Sequence, residues 1–266
     1  KYLVCCTEPV IGMTIPQNVR ELLNLHLKSV TVQHVIKQLE NAMSVRPEAL
    51  TLPEFEELEC VCKNAYITLQ QCLTFHGADI INPIQGKSFI LLGRKFVSTK
   101  QVAFTLHADC SPYLFKLPTQ LADRFASLMR AARVKETFNA EDFKLCLIEL
   151  HKRFQGNALD EDAFRAAVQL ANQLADAMKT SGSELFSFPL PDSNRVMRPL
   201  HDLCLRDCVW IPDEEGVYFV NSTIPWPTCH QLGVKTRQTE ALRRHKIGIP
   251  FGQKEKLTNR IKRILT

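Results

Sequence analysis

Histidine and cysteine crowd most densely in one stretch, His201-x-x-Cys204-x-x-x-Cys208, with Cys229-His230 downstream. Thiolate and imidazole are the usual tetrahedral zinc ligands, but these spacings fit no standard zinc site. Cys204 stands between Leu203 and Leu205, which reads as a packed strand or loop. The remaining histidines, including His26, His34, His76, His107 and His151, are scattered along the chain, and none is set beside a cysteine as a nucleophile and base would be. His34 falls at an expected first helical turn. With only ten glycines and no G-x-x-x-x-G-K-[ST] run, the chain has no phosphate cradle. The acidic clusters Glu141-Asp142, Asp160-Glu161-Asp162 and Glu54, Glu56, Glu57, Glu59 suit first turns and solvated faces, where carboxylates meet the positive end of a helix. The expectation is therefore a chain with no catalytic, cofactor-binding or metal-binding residues.

The elements that would position any site repeat themselves. Val30-Thr31-Val32-Gln33-His34-Val35 and Phe138-Asn139-Ala140-Glu141-Asp142-Phe143 each place a cap former between apolar residues five apart, the spacing of a hydrophobic staple around an N-cap. The first helices run on through Leu39 and through Leu147 and Leu150. A longer helix follows each. Thr51-Leu-Pro-Glu54 is a capping box ahead of Phe55, Leu58, Cys62, Ala65 and Leu69, and Asp160 can cap Phe164, Ala167, Ala171, Leu174 and Met178. Extended pairs come next, Phe89–Gly93 with Phe96-Val97, and Phe188–Asp192 with Val196, the second weakened by prolines. Asp109-Cys110 and Asp207-Cys208, then Pro118 and Pro225 opening short helices, then Val134-Lys135 and Val234-Lys235 complete the parallel.

A match of this kind predicts a duplication with repeat units at 31–133 and 134–233. Residues 1–30, with Pro16-Gln-Asn-Val19…Leu27-Lys28, read as the end of a preceding unit, and 234–250 as a connecting helix and linker. The fold class expected is mainly α with small β hairpins, built as tandem helical units that stack into an elongated body.

The chain has 266 residues, 45% hydrophobic and 23% charged, a normal composition for a soluble domain or two. No apolar run approaches the ~18 residues of a membrane span, so no membrane partner and a cytoplasmic location are expected. Its ten cysteines lack both zinc-ribbon pairing and the density of a secreted disulfide scaffold, and read as reduced, small apolar residues. The net charge of +5 is uneven. Residues 235–266 hold ten Lys/Arg against Glu240 and Glu255, a local +8 that leaves the other 234 residues at −3. A nucleic-acid binder spreads its basic residues over a folded face. Two helices followed by a hairpin is nonetheless the outline of a winged helix, so a tandem nucleic-acid module is the alternative reading.

Residues 251–266, Phe-Gly-Gln-Lys-Glu-Lys-Leu-Thr-Asn-Arg-Ile-Lys-Arg-Ile-Leu-Thr, place Leu257, Ile261, Ile264 and Leu265 on one helical face, a candidate interaction face that invites self-association. This stretch resembles the Phe-Gly-Gln-led first helix of the ATPase modules in the sacsin family of giant chaperone-related proteins. Phe188-Pro-Leu-Pro-Asp192, Leu203…Arg206-Asp207-Cys-Val-Trp210 and Gln231-Leu-Gly-Val-Lys235 resemble the ordered run that precedes such a module. Gly93-Arg-Lys-Phe-Val97 and Pro112-Tyr-Leu114…Leu117-Pro118 are similar in the same way. One departure is Arg206, where the family often has Asn, a residue that tolerates left-handed turns better.

The resemblance implies a non-catalytic structural and protein-interaction segment, with 251–266 as the truncated first helix of a following ATPase module. It implies neighbouring ATPase modules of the same protein as partners, within a scaffold that works with the seventy-kilodalton heat-shock chaperone. Neither the ATP-site motifs nor the His-Pro-Asp tripeptide of that scaffold occurs in these residues.

Overall fold

A computed structural model describes residues 16–22, 31–181, 187–207 and 215–244. The fold is mainly α-helical with small sheets of two or three strands. It divides into two compact units that do not follow the chain continuously: one takes residues up to 105 with 116–137, the other takes 106–115 with 138 onward.

In the first unit, α1 (Gln17–Leu22) precedes α2 (Val32–Met43) and the 25-residue α3 (Leu52–His76). Capping boxes start both longer helices. The Thr31 backbone N–H donates to His34 Nδ1 at 3.0 Å, and the Thr51 N–H to Glu54 Oε2 at 2.9 Å. Those bonds from Thr51 hold the Glu54 carboxyl below its ordinary pKa. Val35, Leu39, Leu58, Ala65 and Leu69 are buried along the facing sides of α2 and α3. A 3₁₀ stretch (Ala78–Ile84) leads to the antiparallel hairpin of β1 (Ile90–Leu92) and β2 (Lys95–Val97), turned at Gly93 with φ 54°. Tyr66 ties α3 to this hairpin. Its buried hydroxyl donates to Phe89 O at 2.6 Å and accepts from the Leu91 N–H at 3.2 Å, while its ring meets Phe89 and Phe125 edge-on. A 3₁₀ turn (Thr99–Gln101), β3 (Val102–Thr105), β4 (Phe115–Lys116), α4 (Thr119–Ala131) and β5 (Lys135–Thr137) follow. The sheet order is β4-β3-β5, with β3 and β5 parallel.

The second unit opens on α5 (Ala140–Phe154), capped reciprocally by Asn139 and Asp142, each accepting the other's backbone N–H at 3.0 Å. Phe138 packs on Phe143 with ring centroids 6.0 Å apart, the expected staple. Asp160 caps α6 (Glu161–Ser181) through the Ala163 N–H at 2.8 Å. The alanine-rich face of α6, with Ala163, Ala167, Leu170, Ala171 and Leu174 buried, lets α5 approach closely. β6 (Pro189–Pro191) and β7 (Met197–Pro199) pair antiparallel despite three prolines. The prolines sit at alternate positions, whereas the flanking ladder bonds run from Leu200 N to Phe188 O and from Asp192 N to Val196 O. A missing N–H costs nothing where it would point out of the pair.

A 3₁₀ turn (Leu200–Asp202), β8 (Leu203–Leu205), β9 (Tyr218–Phe219), α7 (Trp226–Gln231), β10 (Lys235–Thr236) and α8 (Arg237–Arg244) complete the unit. β8 lies between β10 and β9, parallel to both. Each closing helix ends the same way. Arg133 (φ 66°) and Gly233 (φ 79°) turn left-handed, and the N–H of Val134 and Val234 returns to Met129 O and Cys229 O.

Candidate interaction faces

A bent arm, residues 106–115, belongs to the second unit with α5 and α6. Asp109 opens it by accepting the Ser111 N–H at 3.0 Å together with the Ser111 hydroxyl, which holds its carboxyl below the usual range, with Arg165 adding a smaller pull. Cys110 bridges to Leu114 across the bend and is fully buried. Tyr113 is hydrogen-bonded to Arg153 of α5; burial pushes its phenol upward, and the guanidinium opposes that. Cys146 of α5 is pushed up to about 12, first by burial, then by Glu149, Asp142 and Cys110. Cys146, Glu149 and Arg153 of α5, with Asp160 and Arg165 at the start of α6, thus lie near enough to the arm to interact electrostatically with it.

The hairpin beyond it is locked by Asp192, which is 1% exposed. Its Oδ1 accepts the N–H of Asn194 (2.8 Å) and Val196 (2.9 Å), and its Oδ2 accepts Arg198 Nε at 2.6 Å. Arg198 lies over Tyr218, 3.4 Å from the ring centroid. Asn221 donates its side-chain amide to Asp192 O and its backbone N–H to Pro191 O, sewing the hairpin to the loop just after β9. The first unit makes its turn with Gly93 instead, and exposes the apolar residues Val45 and Leu52 beside α2 and α3.

The histidines and cysteines are dispersed. His201 is exposed beside Asp202, the Cys204 thiol is buried in β8 against Tyr218 O, and Cys229 is buried against Ile224 O; Cys208 lies outside the described residues. Among the described residues no three His, Cys, Asp or Glu side chains converge as a metal site. Burial pushes Cys62 and Cys110 up to about 12 and Cys229 to about 11. Arg206 does not take a left-handed conformation and stacks over Phe219 at 4.2 Å; the residues that follow Asp207 lie outside the described residues. Leu257, Ile261, Ile264 and Leu265 lie outside the described residues. Spacing alone discloses neither the arm on α5 nor the Asp192 lock, although Asp109-Cys110 and the Leu190-Pro191-Asp192 run are the sequence signals that mark them.

Against known proteins, the chain aligns with human sacsin at 28% identity over 289 residues, covering 99% of the chain and 6% of sacsin. The chain is sacsin-related. No protein-family model matches it, and no solved structure does. The similarity to sacsin runs through both units and does not favour the nucleic-acid alternative. Among the described residues no helix is long and apolar enough to cross a membrane.

Proposed function

We propose that this chain is a non-catalytic structural and protein-interaction segment of a sacsin-like cytoplasmic co-chaperone, built from two copies of one unit at 31–133 and 134–233 and linking ATPase modules. The observation that carries the reading is the similarity to sacsin along almost the whole chain. The duplication draws support from position-by-position parallels. Thr31 and Asn139 cap the first helices, and Thr51 and Asp160 the second. Four residues past the second cap stand Phe55 and Phe164, and a hairpin arginine lies over each, Arg94 at 4.9 Å and Arg195 at 4.7 Å. Then come a 3₁₀ turn, a strand, a second strand, a helix opened by Pro118 or Pro225, and a strand parallel to the first. An amide on the long helix meets the closing helix in both, Gln70 at the Leu128 N–H (2.8 Å) and Asn172 at the Thr228 hydroxyl (3.0 Å).

Tandem units that each carry a helix pair and a hairpin suit a spacer role. The parent's ATPase modules and the seventy-kilodalton heat-shock chaperone are its proposed partners. Two measurements test this. Calorimetry with magnesium and ATP is expected to give no heat of binding, and low-micromolar binding would overturn the non-catalytic reading. An experimental structure in which residues 31–105 and 139–205 share neither element order nor helix packing would overturn the duplication.

A further inference from the structure

We propose that the start of α2 is a proton-operated latch: the capping box of Thr31 and His34 holds the first turn closed while the His34 imidazole is neutral and releases it when that ring is protonated. The direction of one hydrogen bond carries this. The Thr31 backbone N–H donates to His34 Nδ1 at 3.0 Å, so Nδ1 is the acceptor and the neutral ring keeps its hydrogen on Nε2. Thr31 Oγ1 lies 2.9 Å from the same nitrogen.

A proton added to that ring goes to Nδ1, its one basic nitrogen, and takes the lone pair that the Thr31 N–H needs. Donor then faces donor. The new N–H can turn to Thr31 Oγ1, but that oxygen is the one the box aims at the His34 backbone amide, so half of the box is kept only at the expense of the other half. A positive ring in the first turn also meets the positive end of the helix. Both effects favour opening.

The other capping boxes among the described residues are built differently. They use Glu54, Gln101 and Asp142 as the third residue, and α2 alone uses an imidazole. The Glu54 carboxyl is held below its ordinary value of 4.5, so the box of α3 stays closed in the range where imidazoles take a proton, about pH 5 to 8. His151 makes the opposite use of its ring. Its Nδ1 lies 3.0 Å from Met197 O, which can only accept, so this bond is made by the neutral and the charged ring alike. Around α2 the charged groups on described elements are Lys37 and Glu40 on the helix itself, with Glu40 held by Lys87 at 2.6 Å, and Asp79 on the 3₁₀ stretch, which accepts from Asn82. α3, the main neighbour of α2, has no Asp, Glu, Lys or Arg from residue 64 to 75, the half remote from the 44–51 connection and so the half beside the start of α2. What the latch guards is the Thr31 carbonyl, which accepts the N–H groups of His34 (3.0 Å) and Val35 (3.3 Å), and through them Val35, a core residue 1% exposed.

Two readouts on the full chain test the latch. With ¹⁵N-labelled histidine, the ring resonances of His34, assigned by their loss in His34→Gln, should show Nδ1 without hydrogen at pH 7.5. Hydrogen exchange at the amides of positions 34 and 35, corrected for the intrinsic effect of pH and referred to the Phe55 amide, which is bonded to Thr51 O in the box of α3, should quicken ~5-fold from pH 7.5 to 5.5, the size expected for the loss of a cap. His34→Gln rebuilds a box of the Ser98–Gln101 kind, whose acceptor does not titrate, and should abolish that change. A ratio in the unsubstituted chain that does not move with pH, a His34→Gln ratio that moves as much, or an Nδ1 that carries hydrogen at pH 7.5 would each overturn the latch. If His34→Gln fails to fold, the tautomer, then assigned by elimination among the histidine rings, and the exchange ratio of the unsubstituted chain decide the matter alone.

Discussion

Replacing Asp192 should release the hairpin of the second unit, and its bonding partners let the size of the effect be worked out. Asp192→Ala removes the acceptor for two backbone N–H groups and for Arg198 Nε, around a carboxylate that is 1% exposed. Arg198 is 28% exposed in its side chain and keeps its stack on Tyr218, so part of its loss is recovered by water. Breaking a buried charged pair costs about 3–5 kcal/mol, and hydrogen bonds to a charged group contribute about 1.5–3 kcal/mol each. Those bonds share one carboxylate and are not additive, so the expected loss is about 3–5 kcal/mol. Asp192→Asn keeps an oxygen for the two N–H groups and loses only the ion pair, so about half that loss is expected. Trp226 lies in α7 of the second unit, so its fluorescence reports on the unfolding of that unit. With a urea slope of about 2 kcal/mol per molar, the midpoint should fall by roughly 2 M for Ala and 1 M for Asn. An Asp192→Ala midpoint within about 0.3 M of wild type would refute the lock, as would equal losses for Ala and Asn, which would mean that the two N–H bonds contribute nothing beyond the ion pair.

Phe143→Ala empties a site that is 3% exposed and breaks the ring contact with Phe138; a loss of about 3–5 kcal/mol by the same fluorescence assay is expected, and an unchanged midpoint would put α5 in the wrong register. At pH 8 the thiols of Cys62 and Cys110, with pKa values of about 12, hold about 10⁻⁴ thiolate, so iodoacetamide should label them only after unfolding, whereas the half-buried Cys60 and Cys72 should react first. Asp109, whose folded carboxyl is held below its ordinary value of 3.8, contributes stability that is fully present above that value and is lost as the pH falls through the folded pKa. Asp109→Asn should therefore flatten the acid limb of the stability profile below about pH 4, and an identical limb would show that the arm is not fixed by this group.

Helix starts are legible in the sequence because their causes are local. A cap former between an apolar pair five apart marks each start, with an acid or His three residues on at Thr31, Thr51 and Asn139, and the structure puts the caps at Thr31, Thr51, Asn139 and Asp160 as the spacing implies. The parallel sheets are not legible. β8, β9 and β10 are two or three residues long, too short to show alternation, and β10 joins β8 across about thirty residues of chain. Val134-Lys135 and Val234-Lys235 stand out as repeated pairs without any sign that strands begin there. Prolines mark the second hairpin as weak for a reason that holds on average and fails here, since they occupy the alternate positions that need no ladder donor.

The two hairpins also show why the turn chemistry of one unit does not disclose that of the other. In the first, Gly93 at φ 54° supplies a conformation that side chains resist, and the turn needs nothing more. In the second, the left-handed residue is Arg195 at φ 61°, a choice that is unfavourable by itself. Asp192 offsets it by holding the N–H groups on both sides of the bend, and Arg195 turns its strained position to use by reaching Glu161 at 2.6 Å and covering Phe164. The arginine-over-phenylalanine clamp is thus kept in both units while the backbone device beneath it differs. The same contact over two different turns points to what each hairpin accomplishes, its fastening to the long helix, more directly than either turn does alone.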